Sequence, residues 1–239
     1  MNLEGALIAN AKARLRLLAG SSAFLWHTYM RLAGKPLSTP TQVDLIVEGY
    51  PRSGNTYAVH MLRIMCPGLR WISHTHSGGT LLWAQKHGIP SLILVREPQE
   101  AAVSLYIYRM QQIGLHLCFR EWEAFYRYAR KLDAVSFVSF DSLTSNTEAS
   151  LCSALSNIGL ASSIQHSLPV DPRASFIASH DHDKWHLRNI RGIQYGEEQG
   201  NRPSEKRDTV KKQILLNVQS SNNPSLIKQI AQCSQLFLN

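Results

Sequence analysis

A chain of 239 residues with 44% apolar composition can bury one sizeable core, and its length suits one domain better than two. Its 25 Lys and Arg against 17 Asp and Glu, with a formal charge of +8, fit an anionic partner: nucleotide, nucleic acid, acidic glycan or membrane surface. Cys66, Cys118, Cys152 and Cys233 lie far apart without a C-x-x-C pair, and no run approaches the roughly 20 apolar residues of a bilayer span, so the expectation is a cytoplasmic chain with free thiols.

Residues 3–33 repeat apolar positions at Leu3, Leu7, Ala11, Leu15, Leu18, Leu25, Tyr29 and Leu32, with Lys12, Arg14, Arg16 and Arg31 elsewhere around the wheel. The spacing predicts an amphipathic helix, with Gly20-Ser21-Ser22 as a candidate break. Before Asp44 the only acid is Glu4, against five Lys and Arg, so the segment could rest on an anionic membrane. Its alternative is a helix packed on its own domain with a solvated basic face. Leu37 to Gln42 reads as a linker, which divides the chain into an N-terminal helical segment, 1–42, and a single domain, 43–239.

Val43, Leu45, Ile46 and Val47 form a short β-prone apolar run, as expected of a buried strand. Gly49, Pro51, Ser53 and Gly54 make a tight turn, after which Ala58, Leu62 and Met65 recur at helical spacing. A loop delivered this way aims free backbone N–H groups and the positive end of a helix dipole at one point, where phosphate or sulfate binds. Gly49 to Thr56 follows the pattern G-x-x-x-x-G-K-[ST] except that Asn55 stands at the lysine, leaving Arg52 as the cation of the loop. A plain strand-to-helix turn is the bland alternative.

Leu69 to Ser73 is expected to be a second strand, leading into His74-Thr75-His76-Ser77-Gly78-Gly79. Residues two apart in a strand share a face, so His74 and His76 could converge, as a general base or as loop polar groups; a metal would need a further ligand. Ser91 to Val95 is an unbroken apolar run that suits a sheet covered on both faces. It ends in Arg96 where a Mg²⁺-dependent enzyme wants a carboxylate, and an arginine there suits direct neutralisation of a phosphate. Pro98 opens a helix that carries Ser104.

Val135 to Phe140 reads as a further strand, and Glu148 to Ile158 as a helix closed by Gly159. His180-Asp181-His182-Asp183 reads as a solvated loop more readily than as a metal cluster. The stretch 191–207 reads as a mobile loop able to close over a ligand, and Thr209 to Val218 and Ser225 to Leu238 as helices, with Pro224 opening the second. The predicted fold is α/β and three-layered, with a mainly parallel sheet and a P-loop-like strand, loop and helix.

Together these residues resemble a family. Tyr50-Pro51-Arg52-Ser53-Gly54-Asn55-Thr56-Tyr57 is similar to the Y-P-K-S-G-T-T-W loop of the sulfotransferases that use 3′-phosphoadenosine 5′-phosphosulfate (PAPS), in whose tyrosyl-protein type arginine replaces the lysine. Leu94 to Tyr106 resembles the family's L-V-R-N-P-R-D-V-A-V-S-Y-Y element in register, His74-Thr75-His76 its K-T-H, and Phe140-Asp141-Ser142-Leu143 its Y-E-D-L. The resemblance covers roughly residues 43–160 and implies roles. Arg52, Ser53, Gly54, Asn55, Thr56 and Tyr57 would cradle the 5′-phosphosulfate, with Arg52 offsetting charge as the sulfuryl group leaves. Arg96 and Ser104 would hold the 3′-phosphate, His76 would take the acceptor's proton, and no metal would be required.

Asn55, Tyr57 and His74 depart from the family residues Thr, Trp and Lys. The late R-K-G-x-x-G element has only loose candidates, in Arg191-Gly192 with Gly196 and in Arg202 to Arg207. The expected partners are PAPS, released as PAP, and a hydroxyl acceptor, carbohydrate or lipid, with no nucleic acid. Two rivals stand beside this reading: a P-loop kinase using ATP and Mg²⁺, against which the missing lysine and strand-tip acid count, and a non-catalytic nucleotide- or polyanion-binding module.

Overall fold

The computed structural model of the protein describes residues 3–32, 34, 38–109, 113–179, 205–219 and 224–236. Four strands, β1 (Leu45–Gly49), β2 (Trp71–Ser73), β3 (Ser91–Val95) and β4 (Val135–Ser139), form one sheet in the order β2-β1-β3-β4. Every pairing is parallel; Gly49 stands opposite Leu94, and Val95 opposite Ser139. The chain leaves β1 towards one edge and returns to β3 on its other side, so the crevice at the carboxyl ends of β1 and β3 is the topological switch point where α/β sheets bind ligands.

Parallel strands need long crossovers, and helices supply them. After β1 comes α3 (Asn55–Met65), after β2 comes α4 (Gly78–Lys86), and after β3 come α5 (Pro98–Tyr108) and α6 (Leu115–Ala129). Beyond β4 lie α7 (Phe140–Ser145), α8 (Thr147–Asn157), α9 (172–179), α10 (Glu205–Gln219) and α11 (Pro224–Gln235). The N-terminal segment folds as α1 (Leu3–Ala19) and α2 (Ala23–Leu32), divided at the expected Gly20-Ser21-Ser22.

The sheet is covered on both faces. Leu45, Val47, Leu92 and Leu94 pack against Ala58, Leu62 and Met65 of α3 and Leu151 and Leu155 of α8. Ile46 and Ile93 face Leu81 of α4, Ala102 and Leu105 of α5, and Trp122 and Tyr126 of α6. Period two along the strands thus separates two cores, an arrangement compatible with the expected three layers. Each fully buried Leu or Ile contributes about 1.5–3 kcal/mol to this burial.

Several boundaries move. The second strand begins at Trp71 rather than Leu69, and Phe140, expected to end a strand, opens α7 under an N-cap in which Ser139 Oγ accepts from Ser142 N–H. α10 begins at Glu205, four residues before the expected Thr209, so 205–207 are helical rather than the end of the loop expected over 191–207. His180-Asp181-His182-Asp183, Arg191-Gly192, Gly196 and 202–204 lie outside the described residues.

Ala13 of α1 and Trp26 of α2 are buried on the domain. α2 crosses α4 where a Cβ on Gly79 would stand 2.2 Å from Trp26 Cβ, and one on Gly78 would stand 2.2 Å from Tyr128 Cδ2. Gly79 therefore sets how closely α2 seats on α4, and Gly78 makes room for Tyr128 of α6 and for the Gly20 carbonyl, 2.9 Å from where its Cβ would stand. The four cysteines are free, and no described helix is long and apolar enough to cross a membrane.

Candidate functional site

Two loops at the carboxyl ends of β1 and β2 build the site. Among the described residues the only non-glycine residues with positive φ are Arg52 (74°), His74 (63°) and His76 (50°), all in these loops. A left-handed residue other than glycine costs on the order of 1–3 kcal/mol, and such strain gathers where orientation matters.

In the first loop, Gly54 at φ 93° precedes α3 and supplies no side-chain cap, so the first N–H groups of the helix are not capped by a protein side chain at that position. A Cβ at Gly54 would meet Phe140 and Leu143 at 3.2 and 3.3 Å, which explains the glycine twice over and shows what Phe140 to Leu143 do: they wall the loop. Arg52 Nε donates to Ser104 Oγ at 3.1 Å, and the Arg52 guanidinium lies 5.2 Å from the Tyr108 ring centroid. Arg96 Nη1 donates to the Arg52 carbonyl at 3.0 Å and its guanidinium stands 4.2 Å over the Phe140 ring. Arg52, Arg96 and Ser104, drawn from three elements, therefore meet at one place.

The other loop residues divide. Ser53 is buried with its Oγ 3.3 Å from Tyr126 Oη. Asn55 is buried too, and its Nδ2 donates to the carbonyls of Gly49 and Tyr50 at 3.3 Å each. Two carbonyl partners fix the amide's orientation and leave Oδ1 buried with no partner among the described residues. Tyr57 turns to Thr147 Oγ1, 2.8 Å away, and stacks edge-on with Phe176. Thr56 Oγ1 lies 3.2 Å from His74 Nε2. So the side chains of Ser53, Asn55 and Tyr57, each expected at the nucleotide, have partners within the protein that brace the loop. At the position of the motif's lysine a short amide ties two loop carbonyls together.

Much of the loop's support comes from α6, which the sequence reading passed over. Tyr126 Oη donates to Leu94 O at 2.7 Å and accepts from Tyr50 N–H at 3.4 Å. Tyr50 Oη donates to Cys118 O at 2.7 Å, and Trp122 Nε1 donates to Arg96 O at 3.1 Å. Burial pushes Tyr126 up to about 12, so it stays a neutral hydrogen-bonding post. The available signal was the helical recurrence of Cys118, Trp122, Phe125 and Ala129.

The second loop is organised by Glu48 of β1, fully buried. Its Oε1 accepts from Thr75 N–H at 2.6 Å and its Oε2 from His76 N–H at 3.1 Å. His76 Nδ1 lies 2.7 Å from Gly49 O; a carbonyl only accepts, so Nδ1 carries the proton and Nε2 the lone pair. Burial pushes Glu48 up to about 7, against the opposing backbone hydrogen bonds, and holds His76 down to about 4. Glu48 Oε2 stands 3.6 Å from His76 Nδ1, so a proton gained at Nε2 would find a counter-charge across the ring. His74 and His76 stack edge-on at 5.9 Å, but His74 is held by Ser73 Oγ at 2.9 Å as well as by Thr56, and no metal-binding group of side chains occurs among the described residues.

A cavity of about 670 Å³ opens beside this loop, lined by His74 and His76, the aromatic side chains of Trp26, Tyr29, Trp71 and Trp83, and the cations Arg16 and Arg63. On the other side of the site, Glu100 pairs with Arg96 at 3.2 Å and with Lys211 of α10. Burial, with Arg96 nearby, pulls Lys211 down, while Glu100 opposes. Lys211 is a third cation beside Arg96 that the sequence reading did not single out.

No protein-family model matches the chain, and no curated protein is significantly similar to it.

Proposed function

We propose that the protein transfers a sulfuryl group from PAPS to a hydroxyl acceptor. The observation that carries this reading is the meeting of Arg52, Arg96 and Ser104, with Arg52 Nε 3.1 Å from Ser104 Oγ and Arg96 Nη1 3.0 Å from the Arg52 carbonyl. Polar side chains from the β1 loop, the tip of β3 and α5 that meet at one place suit one phosphate of a ligand whose phosphosulfate end would lie at the start of α3. An arginine at the β3 tip and an amide turned inward at the lysine position argue against the kinase alternative.

PAPS when bound supplies the sulfuryl group, and PAP leaves. The main-chain N–H groups at the start of α3 would hold the phosphosulfate end, where fixed donors stabilise charge that grows in the transition state. Arg96 and Ser104 would hold the 3′-phosphate, with Lys211 the described candidate to complete that grip. Arg52, held at Ser104, would join the two ends of the ligand. His76 Nε2 would accept the acceptor's proton, and Glu48, 3.6 Å from Nδ1, would stabilise the imidazolium so formed.

The acceptor would enter the cavity beside His76. Four aromatic walls with Arg16 and Arg63 suit a sugar ring or lipid headgroup that carries its own negative charge. The test is transfer of labelled sulfate from PAPS onto fractionated lipids and glycans. Product formation that His76→Ala abolishes supports the reading; no labelled product from any fraction, with PAP binding intact, favours the non-catalytic module.

A further inference from the structure

The N-terminal helix pair is assembled in the reverse of the usual sense. α1 turns small or modest residues, Ala9, Ala13 and Leu17, towards the domain, and turns Leu7, Ile8, Leu15 and Leu18 to solvent. α2 repeats the arrangement: Trp26 is buried, whereas Phe24, Leu25 and Leu32 are exposed. Leu18 is 66% exposed, Phe24 76% and Leu32 84%, high values for large apolar side chains on helices. One exposed leucine needs no account, but seven large apolar side chains on two consecutive helices do.

The polar residues among them share one sign. Lys12, Arg14 and Arg31 are exposed on the same two helices and form no ion pair among the described residues. Between Gly5 and Val43 the sequence contains no acid at all. A surface meant for solvent mixes both signs, and one meant for a second copy of a domain with net charge +8 would bring like charges together. Leucine and phenylalanine interleaved with exposed cations match the interface of an anionic bilayer, where the apolar side chains enter the acyl boundary and the cations stay at the phosphates. Neither helix is long and apolar enough to cross, so the pair would lie on the surface.

We propose that the outward faces of α1 and α2 dock the protein on an anionic lipid bilayer. The inner face of the same pair, through Arg16, Trp26, Tyr29 and Met30, lines the cavity beside His76. Docking would therefore place that cavity next to the lipid surface. Membrane docking stands on these exposed faces alone and does not depend on the sulfotransferase reading.

Co-sedimentation of the full chain with vesicles tests it, comparing equimolar phosphatidylglycerol and phosphatidylcholine with phosphatidylcholine alone. Strong partition onto the anionic vesicles, weakened by salt, is expected. Combined Leu18→Ser, Phe24→Ser and Leu32→Ser should lower partition tenfold or more, and Lys12→Gln, Arg14→Gln and Arg31→Gln together on the order of a hundredfold. All six positions are exposed, so unchanged circular dichroism and unfolding midpoint are expected of both variants. The proposal is overturned if the wild type fails to bind anionic vesicles, or if the serine variant binds as well as the wild type. A dimer in light scattering that the serine variant dissociates would assign the face to a second copy instead. Retained PAP affinity in the serine variant separates this outcome from the fate of the nucleotide site.

Discussion

The loop after β1 and the loop after β2 solve one problem in two ways. Both hold a side chain with a proposed role on a left-handed residue, Arg52 in one and His76 in the other. The first is propped by groups that do not titrate near neutral pH: Tyr126 on Leu94 and Tyr50, and Trp122 on Arg96. The second is propped by one buried carboxylate, Glu48, whose oxygens take the N–H groups of Thr75 and His76. On the proposed reading, ligand grip falls to the first loop and proton handling to the second, so pH should disturb one and spare the other.

The most damaging way to separate them is His76→Ala. We expect kcat to fall by about 10²–10⁴ while PAP affinity holds. Equal losses in both would mean that His76 is a structural post. Next, Arg96→Ala should raise the Kd for PAP by roughly 10- to 100-fold, because it removes a charge-assisted contact at one end of the ligand. Lys211→Ala should weaken PAP more than a nucleotide lacking the 3′-phosphate, by a smaller factor of roughly ten. Equal weakening of both nucleotides would take Lys211 out of the 3′-phosphate site.

The pH dependence sharpens the contrast. His76, held near 4 when folded against 6.5 ordinarily, binds fewer protons in the native state over that window, so its contribution to stability is lost as pH falls from 6.5 towards 4. Glu48, raised to about 7 from 4.5, binds more protons when folded, so its contribution is lost as pH rises from 4.5 through 7. Between 4.5 and 6.5 the two slopes oppose each other. In Glu48→Gln only the histidine slope is left: thermal unfolding should show an acid-side loss that the wild type masks, and no decline between 6 and 8. An unchanged profile would show that burial does not raise Glu48 in the folded protein. The smallest effect is expected from Tyr126→Phe, which removes the loop's neutral post at a cost of about 1 kcal/mol, read as a lower unfolding midpoint with the pH profile unmoved.

What the sequence disclosed follows the range of the interactions. Strands β1, β3 and β4, helix α3 and the opening of α5 at Pro98 are written in short-range signals, apolar runs and a proline, and they lie close to where those signals put them. Arg52, Arg96 and Ser104 were legible because motif spacing preserves register. Glu48 was not: it stands beside apolar strand residues, and its meaning comes from N–H groups that the chain brings back only after α3 and β2. Tyr126 and Trp122 were hidden for the same reason, since their partners are backbone carbonyls remote in sequence. The side-chain directions of Ser53, Asn55 and Tyr57 were not legible, because a motif gives position without direction.

Titration calorimetry with PAP, set against ATP with Mg²⁺, tests the central claim most directly. The account predicts that PAP binds more tightly than ATP, and that Arg96→Ala narrows the gap by selectively weakening PAP. Tighter binding of ATP with Mg²⁺, or PAP binding indifferent to Arg96, would contradict it.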